Sequence, residues 1–139
     1  MDLTKQYPRS PYSDLGGYVM LGRTIDKARA HNAEKLGDYS YNCPLDKLVF
    51  DFLGISHEAL AEAVKTRPAD DEILGWVKGR GRSHTVEEVQ KFNEDMKTRA
   101  PVTEEQKVYF LEAREKVAPG RTDVTTWFDL IEADEKRLK

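Results

Sequence analysis

Between Pro44 and Gly54 a set of apolar residues stands at Leu45, Leu48, Val49, Phe52 and Leu53. That is the i, i+3, i+4, i+7, i+8 spacing of a helix with one buried face. Proline suits the first helical position, glycine suits the stop, and Cys43 falls at the N-cap. Such a stretch is too short to be stable alone, so it must lie on other elements. The same grammar recurs along the chain and restricts the fold to short helices packed on one another.

The other segments follow suit. In Leu21–Leu36 the residues Leu21, Ile25, Ala28 and Leu36 share one face, and Gly37 supplies the expected stop. Ser56 caps a third helix with Leu60, Ala63 and Val64 inward, and Ile55 staples its start against Leu60. Asp70 and Asp71 suit the positive end of a fourth helix carrying Ile73, Leu74, Trp76 and Val77. Thr85 with Glu88, and Thr103 with Gln106, form capping boxes for two more. The fifth helix buries Val86, Val89, Phe92 and Met96 and ends at Pro101, whereas the sixth, running to about Val117, has a less regular face. After the Pro119-Gly120 break a last helix starts near Asp123 to Thr125 and lines up Val124, Trp127, Phe128, Ile131 and Leu138. No segment alternates as a strand does. Pro8 and Pro11 bias Tyr7 and Ser10 away from helical dihedrals. Residues 1–20 therefore read as an extended arm, its tyrosines pinning it to a helical surface. The expected architecture is all-α: one compact domain over residues 1–139, a bundle of about seven short helices with that arm packed on it.

Composition narrows the class. The 139 residues are 39% hydrophobic and 34% charged, with a formal net charge of -3. Nucleic-acid-binding domains usually carry a basic excess, so no nucleic-acid partner is expected. Cys43 is the single cysteine, which excludes an intrachain disulfide and fits a reducing compartment. The first residues lack the apolar run of a signal peptide, and no stretch is apolar enough for a membrane span. A soluble, cytoplasmic protein without a membrane partner is expected, as a monomer or homodimer.

Candidate site residues start with the first helix. Arg29 and Asn32 fall inside its apolar arc, Asp26 lies at the edge of that arc, and Arg23, Lys27 and Glu34 point away. A guanidinium on a core face needs a partner. It is either a structural residue held by Asp26, or by Asp134 and Glu135, or a clamp for a carboxylate or phosphate. The structural reading takes precedence. Asn32 and Asn93, the latter on the stripe of the fifth helix, either satisfy backbone groups at a helix crossing or read a ligand. Tyr39 and Tyr41 are the candidate walls of such a pocket. Cys43 at a helix start faces the positive end of a dipole, one setting for a reactive thiolate. However, no spacing ties it to His31, His57 or His84, and a small residue filling a tight helix start is the favoured reading. The basic loop Lys78 to His84 has glycines and cations suited to an anion, but neither the spacing of a phosphate-binding motif nor a preceding strand. His31 and Glu34 alone do not make a metal site, and no metal or cofactor is expected.

Several motifs run together: YPRSP at Tyr7 to Pro11, LGGYVMLGRTIDKARA at Leu15 to Ala30, and FLGI at Phe52 to Ile55. DDEILGW at Asp70 to Trp76, FNEDM at Phe92 to Met96 and PGRTDVTTWFDLIEADE at Pro119 to Glu135 complete the set. In combination they resemble the domain-of-unknown-function family 5069 over nearly the whole chain. The resemblance implies a bacterial, cytosolic, single-domain protein and brings no activity or catalytic residue with it. Three functional expectations stand. The first is a non-catalytic module that binds a small anionic metabolite near the first helix through Arg29, Asn32, Asn93, Tyr39 and Tyr41. The second is an enzyme using Cys43 or a carboxylate such as Asp129. The third is a protein-protein interaction module.

Overall fold

The computed structural model describes residues 1–138. Its elements in chain order are β1 (Asp14–Leu15), β2 (Tyr18–Val19), α1 (Leu21–Asn32), α2 (Pro44–Leu53) and α3 (His57–Val64). They continue with α4 (Asp70–Arg80), α5 (Val86–Thr98), α6 (Glu104–Val117) and α7 (Trp127–Asp134). The all-α expectation holds, with one addition inside the arm. β1 and β2 form an antiparallel pair in which Asp14 faces Val19 and Leu15 faces Tyr18. Gly16 and Gly17 turn the corner with φ of 61° and 92°. Two consecutive positive φ values are what a tight hairpin turn needs, and glycine adopts them without steric cost. Two residues per strand are too few for alternation to register in the sequence.

Chain contacts divide the molecule into two compact units, Met1–Val89 and Gln90–Lys139, and the boundary falls within α5. In the first unit α1 is the central element and packs against α3. Every residue from Leu21 to Ala28 is buried. The apolar period predicts a single buried face with Arg23 and Lys27 outside it; instead these two are 5% and 3% exposed. The arm accounts for part of this, since Met20 N–H donates to Pro11 and Arg23 Nη1 donates to the Arg9 carbonyl. α2 accounts for the rest, presenting Asp46 to Lys27.

α1 also ends earlier than its apolar period suggests. Glu34, not Gly37, takes the left-handed conformation that stops it, at φ 56°. Lys35 N–H bonds back to Ala30 and Glu34 N–H to His31, the paired bonds that close a helix C-terminus. Leu36 therefore lies beyond the helix.

The starts at Ser56, Thr85 and Thr103 follow the sequence, whereas the last helix begins at Trp127, past the start near Asp123 to Thr125 that the sequence suggests. Ser56, Thr103 and Thr126 accept from Ala59, Gln106 and Asp129 N–H respectively, and Thr85 exchanges bonds with Glu88. α2 is turned on its axis relative to its predicted stripe. It buries Asp46, Val49, Phe50 and Leu53, while Leu45, Leu48 and Phe52 are only half-buried. The rotation places a carboxylate inside, and a cation from α1 compensates it. In the second unit Phe110, Val124 and Leu130 form a buried cluster flanked by Trp127, Val117 and Leu138, with Phe128 fully buried nearby in sequence on α7.

Candidate functional site

The polar chemistry of the first unit is concentrated on α1, in two networks. The first lies between α1 and α2. Lys27 Nζ donates to Asp46 Oδ2 at 2.7 Å, Thr24 Oγ1 donates to Oδ1 at 2.9 Å, and Cys43 N–H donates to Oδ2 at 3.2 Å. Asp46 is fully buried, so these three donors stand in for the water it has lost. Cys43, as expected, occupies the N-cap of a helix that opens on Pro44. Its Sγ accepts from the same Lys27 Nζ at 3.3 Å. The cation that reaches the thiol is thus a lysine on α1, not one of the histidines.

The second network ties the arm to α1 and α4. Arg9 donates to both oxygens of Asp26 through Nε (3.1 Å) and Nη2 (3.1 Å), and its own backbone N–H donates to Oδ2 at 2.9 Å. The far edge of the guanidinium engages Asp70 at 2.6 and 3.2 Å. It lies over Gly22, where an added Cβ would come within 3.2 Å of Cζ. Partial burial pulls the Arg9 pKa down, but the bonds from Asp70 and Asp26 outweigh it and the net shift is upward. The hydrogen bond from Arg9 holds the Asp70 carboxyl below its ordinary value of 3.8, aided by the charges of Arg9 and Arg29 against a desolvation penalty.

That shift carries a sign. A carboxyl whose pKa is depressed by folding adds stability that is complete above its unfolded value and is lost as pH falls through the folded one. Replacing Asp70 by Asn is therefore expected to flatten the acid limb of stability below about pH 4. Acid titrations of wild type and variant, followed by circular dichroism, check this. Coincident acid limbs would contradict it.

Of the predicted ligand residues Arg29, Asn32, Tyr39 and Tyr41 lie in the first unit, and Arg29 alone joins one of these networks. Arg29 is half-buried, with Nη1 3.5 Å from Asp70 and 3.9 Å from Asp26, and Nη2 donating to the Pro68 carbonyl at 3.0 Å. Asn32 Nδ2 donates to the Ala61 carbonyl at 2.7 Å, and Tyr41 Oη to that of His57 at 2.6 Å. All three thus address the backbone of α3 or of the segment after it. Ala61 is one of the last carbonyls of α3, which have no partner inside the helix. Arg67 treats Ala63 in the same way, at 3.2 Å. Tyr41 also stacks on His31 with 5.1 Å between centroids. Burial, then the charges of Asp46 and Glu58, push its phenol pKa up, so it stays a neutral donor. The Arg23 guanidinium stands 5.5 Å from the centre of the Tyr39 ring. Asn93 belongs to the second unit, half-buried on α5. Glu135 pairs with Arg137, while Arg29 takes Asp70 and, more distantly, Asp26.

Sequence reasoning passed over Arg9, Thr24, Lys27 and Asp46. A weak signal existed for one of them: Asp46 is the N3 residue of a proline-led helix, where a carboxylate turns back to the N-cap N–H.

A shallow groove of about 250 Å³ opens between α3 and α4, lined by Ala59, Glu62, Ala63, Thr66, Arg67, Trp76 and Arg80. Arg80 stands over the Trp76 ring at 5.7 Å. Glu62 is taken by Lys65, and among the described residues neither Arg67 nor Arg80 is ion-paired with a carboxylate. Only the second half of the basic stretch Lys78 to His84 is a loop leading into a helix N-terminus, that of α5. The first residues of the stretch are the last turn of α4, where cations complement the dipole, and His84 stacks on Phe52 at 3.8 Å. Among the described residues no three His, Cys, Asp or Glu side chains are grouped as metal ligands, and no helix is long and apolar enough to cross a membrane.

A family model described as a domain of unknown function, DUF5069, matches residues 5–137. The chain belongs to that family. The match takes in the arm from Lys5, both networks on α1 and the α3–α4 groove. No match was found among curated proteins.

Proposed function

We propose that the protein is a non-catalytic module that binds a small anionic ligand carrying a flat group, in the groove between α3 and α4. The observation that carries this reading is the pair Arg67 and Arg80, two guanidiniums not ion-paired with a carboxylate among the described residues, which line one groove together with Trp76. Guanidinium forks match carboxylates and phosphates, and an indole face gives a planar ligand somewhere to stack. Arg29 is a weaker anchor, because it is already ion-paired with Asp70, whereas Arg67 donates to the neutral Ala63 carbonyl and Thr66 hydroxyl.

A thermal-shift series against inorganic phosphate, simple mono- and dicarboxylates and nucleoside monophosphates tests the reading. At least one anion is expected to raise the wild-type melting temperature and quench tryptophan emission, and Arg67→Ala with Arg80→Ala is expected to abolish both responses. Arg29→Gln is expected to keep them. Silence from every anion, or a response lost in Arg29→Gln and kept in the double variant, would reject the groove.

A further inference from the structure

We propose that Lys27 and Cys43 form a peroxide-responsive pair whose oxidised product is a covalent sulfenamide between Nζ and Sγ. Three features of the first unit meet here. Lys27 Nζ lies 3.3 Å from Sγ, and its position is held by Asp46 on one side within a site where Lys27 is 3% exposed. Cys43 is only half-buried, so a small oxidant reaches the sulfur although the amine behind it is shut off from water. There is no second cysteine in the chain, so a sulfenic acid at this position has no intramolecular thiol to condense with. The nucleophile beside it is the lysine amine.

The chemistry balances with hydrogen peroxide as the oxidant. In the first step the thiol and peroxide give a sulfenic acid and water: sulfur is oxidised by two electrons and the peroxide O–O bond is reduced. In the second step Lys27 passes one ammonium proton to Asp46, 2.7 Å away, and becomes a free amine. Its lone pair attacks the sulfenic sulfur, the S–O bond breaks, and the hydroxyl leaves as water with the second amine proton. The product is one S–N bond, a neutral nitrogen at position 27 and a protonated Asp46. Lysine's four-carbon stem gives the travel needed to close from 3.3 Å to bonding distance. The cross-link joins α1 to the start of α2 and removes the charge that Asp46 faces in the reduced protein, so the buried pair is converted from ionic to neutral in one event.

The experiment uses the full chain, treated with a small excess of hydrogen peroxide, its remaining thiols blocked by alkylation, and digested with trypsin without reductant. The expected result is an intact mass lower by two hydrogens and a peptide pair linked through positions 27 and 43. Tryptic cleavage after Lys27 should be lost, with return of the free thiol on adding dithiothreitol. Cys43→Ser and Lys27→Arg are expected to show no linked pair, the second stopping at the sulfenic or sulfinic acid. Where Lys27→Arg does not fold, the wild-type peptide map decides alone. Unlinked peptides with Cys43 as sulfinic or sulfonic acid, an intermolecular disulfide, or a linked pair that retains an extra oxygen would each overturn the sulfenamide.

Discussion

Asp46→Ala is expected to destabilise the protein by about 3–5 kcal/mol, the usual penalty for leaving one member of a buried ion pair alone. The carboxylate has no exposure to solvent and takes donors from Lys27, Thr24 and Cys43. Removing it strands an ammonium that is itself 3% exposed, beside a hydroxyl and a backbone N–H with nothing to bond. For a chain of this size a loss of that magnitude lowers the melting temperature by roughly 10–20 °C. The companion experiment separates pairing from packing. Joining Lys27→Met to Asp46→Leu removes both charges and keeps apolar volume, and such replacements are often neutral or stabilising. The double variant is expected to recover to within about 1 kcal/mol of wild type or to exceed it. Chemical denaturation of the single and double variants reads both. A single variant as stable as wild type, or a double variant no better than the single, would sink the account.

The second large effect belongs to the other unit. Phe128, the second residue of α7, is fully buried. Truncation to Ala is expected to cost about 3–5 kcal/mol, made up of lost transfer energy and the cavity left behind. Phe128→Leu, which keeps most of the volume, is expected to cost less than about half of that. Near-equal melting temperatures for Phe128→Ala and wild type would show that this ring contributes no core packing.

Local rules made much of this fold readable in advance. Ser56, Thr85 and Thr103 cap the helices that their spacing announces, and Pro44 and Gly54 bracket α2 as a proline start and a left-handed glycine stop. Each of those signals is written within a few residues of where it acts. What was not readable acts at a distance. Lys27 on α1 looks like a solvent-facing residue until Asp46, 19 positions later, is brought over it. Arg9 sits in a proline-rich arm, and nothing near it in sequence announces a carboxylate 61 positions away. The same limit explains the candidate site. Arg29 and Asn32 read in the sequence as polar residues that need partners. The partners include carbonyls of α3 and of the segment after it, and no sequence period encodes a helix crossing. Arg67 and Arg80 stand out only once α3 and α4 lie side by side.

The anchoring of the arm also bears on the order of folding. Arg9 can grip Asp26 and Asp70 only after α1 and α4 have been brought into register, because one guanidinium bridges carboxylates from both. Contacts that close such long stretches of chain are slow to form and reward the chain only at the end. Leu3 N–H on the Lys35 carbonyl is of the same kind. The arm is therefore expected to engage late, and interactions made after the transition state govern how quickly a folded protein comes apart, not how quickly it assembles. Arg9→Ala is thus expected to speed unfolding more than it slows folding, although the arm contributes no helix to the first unit.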